Sequence, residues 1–232
     1  MIIFSVDSSS VAGSAALLCD GETVYECFAK EGLTHSETLL ARCDEVFQKT
    51  GYTPSDVDCY AVTAGPGSFT GLRIGLNLIK GMAFANNTPC VPVSTFDALA
   101  YPVAELGMDI LCVMDARQRR VYCAAYHVVN GKSVQIIDGQ ILPIKDLNDV
   151  LKTAGIIRPL VVGDAAIEAH EAVEDSVLCD PIGLDVHAAD VGKVAYESFR
   201  KGEYITPDKL APVYLQLSQA ERERKKLEEK AK

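Results

Sequence analysis

The sequence predicts an α/β protein of two lobes, each built on a mixed sheet and related by duplication. Three observations carry this. Two apolar strands end in aspartate, Ile2–Asp7 and Ile110–Asp115, 108 positions apart. Each is followed by a polar loop, a second strand, an Asp20-Gly21 or Asn130-Gly131 turn and a third strand. Asp-Gly and Asn-Gly between apolar runs are strong hairpin signals, because both residues tolerate the left-handed conformation a two-residue turn requires. Helical and strand patterns then alternate after each unit, as in α/β layers.

In order, the first unit places strands at 2–7, 11–19 and 22–29. Thr34-His35-Ser36-Glu37 reads as a capping box, Thr34 at N-cap and Glu37 three residues on. The helix it opens carries Leu39, Leu40, Cys43, Val46 and Phe47 on one face and stops at Gly51. A strand at 59–64 enters Gly65-Pro66-Gly67-Ser68-Phe69-Thr70-Gly71, and a second helix runs to about 86. A short strand at 90–93 precedes Ser94-x-x-Asp97, a second candidate capping box. The second unit places strands at 110–115, 121–127 and 133–137. Beyond them the pattern predicts a helix at 146–154, a strand at 160–162, a helix through His170, a strand at 176–178 and an amphipathic helix at 188–201.

Composition excludes several classes. The chain has 232 residues with 48% hydrophobic content, so disorder of the body is excluded. No apolar run approaches the roughly 18 residues of a membrane span. The N-terminal stretch has no basic region and an acid at position 7, so no signal peptide and a cytoplasmic location are expected. The 22 Lys+Arg against 32 Asp+Glu give a net charge of −10. Residues 221–232 hold six bases and four acids, which leaves about −12 on the rest (16 bases, 28 acids), and such a body repels a phosphate backbone. The eight cysteines form no C-x-x-C pair and read as reduced, buried thiols. The four histidines show no i,i+4 spacing, so no helical metal pair exists.

The glycine-rich run at 65–71 is neither a Walker loop nor a dinucleotide fingerprint, and Pro66 stands where a nucleophile elbow needs glycine. The helix after it is apolar around most of its circumference. Gly71, Gly75, Leu78 and Met82 form one stripe, with Leu72, Leu76, Ile79 and Ala83 beside it. Interior glycines cost about 1 kcal/mol each relative to alanine. Placed four apart, they suggest the close approach of another helix, and an external partner chain is the favoured explanation. Asp7-Ser8-Ser9 and Asp115-Ala116-Arg117 occupy the loops where two-lobed nucleotide-binding proteins hold phosphate and metal. The second carries Arg117, Arg119 and Arg120 in place of glycine, so the nucleotide site reads as vestigial.

Taken in order, Asp7-Ser8-Ser9, Thr34-His35-Ser36-Glu37, the run from Gly65 to Gly75, Asp115-Ala116-Arg117 and Pro212-Val213-Tyr214-Leu215 resemble the TsaB (YeaZ) family of bacterial tRNA threonylcarbamoyladenosine biosynthesis proteins over residues 1–215. The resemblance implies a fold like that of the actin and Hsp70 ATPases: a first lobe at 1–102, a second at 103–217 whose last helix packs back on the first, and a charged tail at 218–232. It implies no catalytic residue, no cofactor beyond vestigial nucleotide binding, and no metal, since the catalytic relative's His-x-x-x-His pair is absent. The implied function is that of a non-catalytic activator that dimerises with the catalytic subunit TsaD, cooperates with the ATPase TsaE and meets tRNA only within the complex. Self-association is implied when the partner is missing. The implied docking residues lie on the helices at 34–50 and 68–86: Thr34, His35, Glu37, Leu40, Phe69, Gly71, Leu72, Arg73, Gly75 and Leu76. The alternative is a stand-alone ATP-dependent phosphotransferase; a protease reading finds no nucleophile–base pair.

Overall fold

The computed structural model describes residues 1–30, 34–180 and 183–215. The charged tail and residues 216–217 therefore lie outside the described residues.

Strands β1 (Ile2–Asp7), β2 (Gly13–Cys19) and β3 (Glu22–Ala29) form an antiparallel meander, and β4 (Cys59–Gly65) and β5 (Cys90–Ser94) extend it in parallel. The sheet order is β3-β2-β1-β4-β5. Strands β6 (Ile110–Asp115), β7 (Arg120–Val129), β8 (Lys132–Pro143), β9 (Leu160–Val162) and β10 (Val177–Leu178) repeat it, in the order β8-β7-β6-β9-β10 with the same senses. Asp20, Gly21, Asn130 and Gly131 all have positive φ, as the hairpin reading requires.

Helices α1 (His35–Thr50) and α2 (Phe69–Phe84) cover the outer face of the first sheet. The shorter α4 (Leu147–Thr153) and α5 (Ala166–Ala172), which follow α3 (Thr95–Ala100), cover that of the second. Between the sheets lie α3 and α6 (Ala188–Arg200). Because β1 and β6 are buried on both faces, they read as nearly continuous apolar runs rather than alternating ones, interrupted only at the buried Ser5 of β1. Helix α6 sits tightly on the first sheet. A side chain at Gly192 would strike Leu18, while the Ser5 hydroxyl donates to the Ala188 carbonyl at 2.6 Å and the Ala188 N–H donates to Ser14 Oγ at 2.9 Å.

Two local expectations are corrected. Strand β8 runs to Pro143 rather than stopping at 137, with register shifts against β7 that interrupt its alternation. Ser94 stands at the N-cap of α3, but Asp97 does not complete a box. Its carboxylate accepts the Tyr126 hydroxyl at 2.8 Å, a tertiary bond that outcompetes the local one. All eight cysteines are free, and five are buried. Among the described residues no helix is long and apolar enough to cross a membrane.

Candidate functional site

The loop after β1 is sealed over Asp7, Ser8 and Ser9, with Ser10 at its rim. Asp7 is fully buried; its Oδ1 accepts the Thr63 hydroxyl at 2.7 Å and the Ser9 N–H at 3.2 Å, while Oδ2 has no partner. Burial pushes the Asp7 carboxyl above its ordinary range, with the Thr63 and Ser9 hydrogen bonds opposing. The cover comes from the same chain. Ser8 Oγ donates to the Gly71 carbonyl at 2.9 Å, Ser68 N–H donates to the Ser9 carbonyl at 2.7 Å, and His35 Nε2 donates to the Ser10 carbonyl at 2.8 Å. The turn at 65–71 and the N-terminal ends of α1 and α2 thus occupy the space over the loop.

This corrects the expectation for the glycines. Gly71 and Gly75 are buried and face inwards. A Cβ on Gly71 would strike the Ser8 carbonyl, and one on Gly75 would strike Ser8 Oγ, with Val62 at 3.5 Å. Leu72 and Leu76 point into the first lobe's core, at 0% and 3% exposure. Helix α2 is apolar over most of its circumference because its own chain covers all but one ridge of it, so these four residues do not form an outward surface.

The outward residues are fewer. Thr34, Glu37, Leu40 and Arg73 are exposed, and His35 and Phe69 are half-buried. Glu37 accepts from both the Thr34 N–H (3.2 Å) and the Thr34 hydroxyl (2.7 Å), which fixes the start of α1 as the sequence predicted, and Gly51 ends it in the left-handed conformation. Leu40 is 64% exposed and Phe84, at the far end of α2, 53%. Arg73 and Phe69 have intramolecular work. The Arg73 guanidinium lies 3.9 Å over the Phe69 ring, Phe69 stacks on Tyr214 at 4.6 Å, and Arg73 Nε donates to the Tyr214 hydroxyl at 2.8 Å. The segment 212–215, quoted from sequence without a role, is thereby held against α2.

The second loop is open. Asp115 is exposed, and its carboxylate accepts the Arg117 N–H at 2.7 Å. Arg117, Gln118 and Arg119 take positive φ in succession, where a phosphate loop would have glycine. Between this loop and the first lobe lies a cleft of about 610 Å³ that Ser10, Lys30, Asp115, Arg119, Asp164 and Asp185 help to line. Lys30 bridges the lobes to Asp185 at 2.9 Å. Burial pushes Asp164 up to about 6, and the neighbouring Asp115 and Asp185 carboxylates add to it. Sequence reading missed Thr63, Asp164 and Lys30 as site residues. Asp164 carried one signal: it follows Gly163, the counterpart of Gly65 at the end of a parallel strand, and both glycines have positive φ. Among the described residues no group of three or more metal-ligating side chains occurs.

Comparison with known proteins follows the same outline. The family model described as TsaD, tRNA N6-adenosine threonylcarbamoyltransferase, matches residues 31–177. The tRNA threonylcarbamoyladenosine biosynthesis protein TsaB of Bacillus subtilis (strain 168) is 27% identical over 223 residues, covering 95% of this chain and 96% of that protein. That of Haemophilus influenzae is 34% identical over 124 residues, and this alignment spans 53% of the chain and only 52% of that protein. Among solved structures, YeaZ from Pseudomonas aeruginosa superposes with a TM-score of 0.79 at 26% identity, covering 92% of this chain and 99% of that one. The activator of 2-hydroxyisocaproyl-CoA dehydratase from Clostridium difficile, solved with ADPNP, shares the fold alone, with a TM-score of 0.51 at 12% identity over 88% of this chain and 97% of that one.

Proposed function

The chain belongs to the TsaB (YeaZ) family of tRNA threonylcarbamoyladenosine biosynthesis proteins, and on that premise we propose that it is the non-catalytic activator of a threonylcarbamoyl transferase complex. In this reading it takes part in tRNA threonylcarbamoyladenosine biosynthesis by pairing with a TsaD-type subunit, with TsaE as the ATPase and tRNA bound by the assembly. It docks through the exposed ridges of α1 and α2, and it self-associates there when the partner is absent. The observation that carries the reading is the cover over the Asp7–Ser10 loop. In a working two-lobed ATPase that loop must face the nucleotide; here α1, α2 and the 65–71 turn stand over it.

The same contacts supply the scaffold's rigidity. Because Ser8, Ser9 and Ser10 each bond to the α1–α2 layer, the two helices are held in a fixed relation to the sheet and to each other. A docking surface ordered beforehand loses less conformational freedom on binding. The cationic charge that tRNA requires must then come mainly from the partner.

The test is association. The chain, mixed with the TsaD-type protein of its own cell, co-elutes as a heterodimer in size exclusion, and Leu40→Glu, on an exposed position of α1, abolishes co-elution while circular dichroism stays native. Undiminished co-elution of folded Leu40→Glu places the interface elsewhere. Steady ATP turnover by the repurified chain alone, lost in Asp7→Ala, favours the phosphotransferase reading instead.

A further inference from the structure

Two helices leave one rib of the docking face unaccounted for. Beyond α6 the chain returns to the first lobe as a strap, from Ile205 to Tyr214, pinned at short intervals. Ile205 and Cys90 exchange backbone hydrogen bonds at 2.8 Å each, on the edge strand β5. Lys80 Nζ donates to the carbonyls of Asp208 and Leu210, both at 3.1 Å, and Leu210 is buried. The Val213 N–H donates to the Ala64 carbonyl at 2.7 Å, at the end of β4, and Arg73 and Phe69 hold Tyr214 as described.

Helical spacing fixes where this strap lies. Phe69, Arg73 and Lys80, at i, i+4 and i+11, share one flank of α2, and all three hold the strap or its carbonyls. Gly71 lies on the other flank, within 3.3 Å of His35 of α1 when given a Cβ. The exposed ridge of α2, with Asn77 and Phe84, therefore runs between α1 on one side and the strap on the other. On the strap, Val213 is 56% and Tyr214 38% exposed. A segment serving only as a tie would bury its apolar side chains. This one holds the backbone by hydrogen bonds and turns two apolar side chains outward, at the end of α2 where Phe69 and Arg73 lie.

We propose that the strap is the third rib of the docking face, that Val213 and Tyr214 are partner-binding residues, and that Arg73 and Phe69 are positioning residues acting through Tyr214. The inference rests on the reading that α1 and α2 dock a chain of related α/β fold. That reading supplies the occupant: a TsaD-type subunit, whose family model matches residues 31–177 of this chain with α1 and α2 among them, seated on α1, the α2 ridge and the strap beside it. A phenol held by both a stacked ring and a guanidinium presents its outer edge at little entropic cost, as binding hot spots do.

The experiment uses the full chain and the purified TsaD-type partner, with dissociation constants from calorimetry and Tm from circular dichroism. Val213→Asp is expected to weaken association by about tenfold or more with Tm unchanged. Tyr214→Ala is expected to weaken it comparably, and Arg73→Ala combined with Tyr214→Ala to bind no worse than Tyr214→Ala alone, since Arg73 acts through the phenol. Should Val213→Asp unfold, Val213→Thr keeps the shape and reads the same effect at about threefold. Wild-type affinity for the Val213 and Tyr214 variants, with Leu40→Glu still abolishing association, overturns this inference and leaves the two-helix face standing. Wild-type affinity for all of them, Leu40→Glu included, overturns both. A loss confined to self-association of this chain, with the heterodimer unaffected, also overturns the inference.

Discussion

The two aspartate loops occupy equivalent places in duplicated sheets, and they have opposite fates. Asp7 ends β1 with no exposure, while Asp115 ends β6 in the open. The strands around them do not explain this, since the pairing senses match strand for strand. The outer helices do. Helices α1 and α2 have 16 residues each, whereas α4 and α5 have seven each. The first pair meets its loop through its N-terminal turns, His35 on the Ser10 carbonyl and Ser68 and Gly71 on Ser9 and Ser8, and glycines at 71 and 75 let α2 settle onto Ser8. Duplication preserved the sheets, and specialisation fell on the layer outside them.

The largest effect that breaks this comparison is at Gly75. A leucine there has to displace Ser8, whose hydroxyl holds the Gly71 carbonyl, and to press on Val62. Overpacking of this kind costs about 1–3 kcal/mol, and the lost hydrogen bond adds about 1 kcal/mol. Gly75→Leu is therefore expected to lower Tm steeply rather than to yield a folded, partner-deficient chain. Gly81 is the control in the same helix. It is exposed with open space around it, so Gly81→Ala is expected to stabilise by up to about 1 kcal/mol. Thermal melts of the two variants should move in opposite directions; equal shifts would mean that α2 is not seated on Ser8.

The fold was legible where its signals are local. The paired Asp-Gly and Asn-Gly turns announced both hairpins, and Thr34 with Glu37 marked the start of α1 to the residue. The site was legible only in part. A helix apolar around most of its circumference does not say which of its apolar sides meets a partner, so Gly71 and Gly75 could be read outward as easily as inward. Arg73 and Tyr214 are 141 positions apart, and no periodicity links them. Ser94 and Asp97 had the spacing of a capping box, but a tertiary hydroxyl claimed the carboxylate. Contacts between distant segments decide the orientation of these side chains, and a linear pattern does not encode them.

The buried acids sharpen the comparison through pH. Both Asp7 and Asp164 have folded pKa values above the ordinary unfolded value of about 3.9, so the native state holds protons the unfolded chain has released. Stability then falls as pH rises through that window and remains lower above it. For Asp164 the window runs from about 4 to about 6, with an upper bound of roughly 3 kcal/mol. Asp164→Asn keeps an oxygen for the Asp115 N–H, so it should stabilise above pH ~6 and lose its advantage below pH ~4. Asp7→Asn likewise keeps an acceptor for Thr63 and Ser9 and removes the buried charge, so it is expected to stabilise at neutral pH. Denaturant titrations across pH 4–8 read both. An Asp7→Asn variant less stable than wild type at pH 7 would show that this carboxylate has a charge partner, contrary to a sealed, vestigial loop.

The smallest effect is in the open loop. Arg117, Gln118 and Arg119 hold φ values of 62°, 57° and 57°. Each non-glycine residue in the left-handed region costs roughly 1–2 kcal/mol, and glycine recovers that while giving back about 0.5–1 kcal/mol of unfolded-state entropy. Gln118→Gly is therefore expected to stabilise by about 0.5–1 kcal/mol, or 1–4 °C in Tm for a chain of this size. The exposed Gln118 side chain has no hydrogen bond that glycine would forfeit among those of the described residues. The equivalent change in the sealed loop, Ser8→Gly, removes the bond to the Gly71 carbonyl and should destabilise by about 1 kcal/mol. The sign difference is the measurement that matters. If both substitutions destabilise, the second loop is held by contacts comparable to those over the first, and the two lobes have not diverged in the way their outer helices indicate.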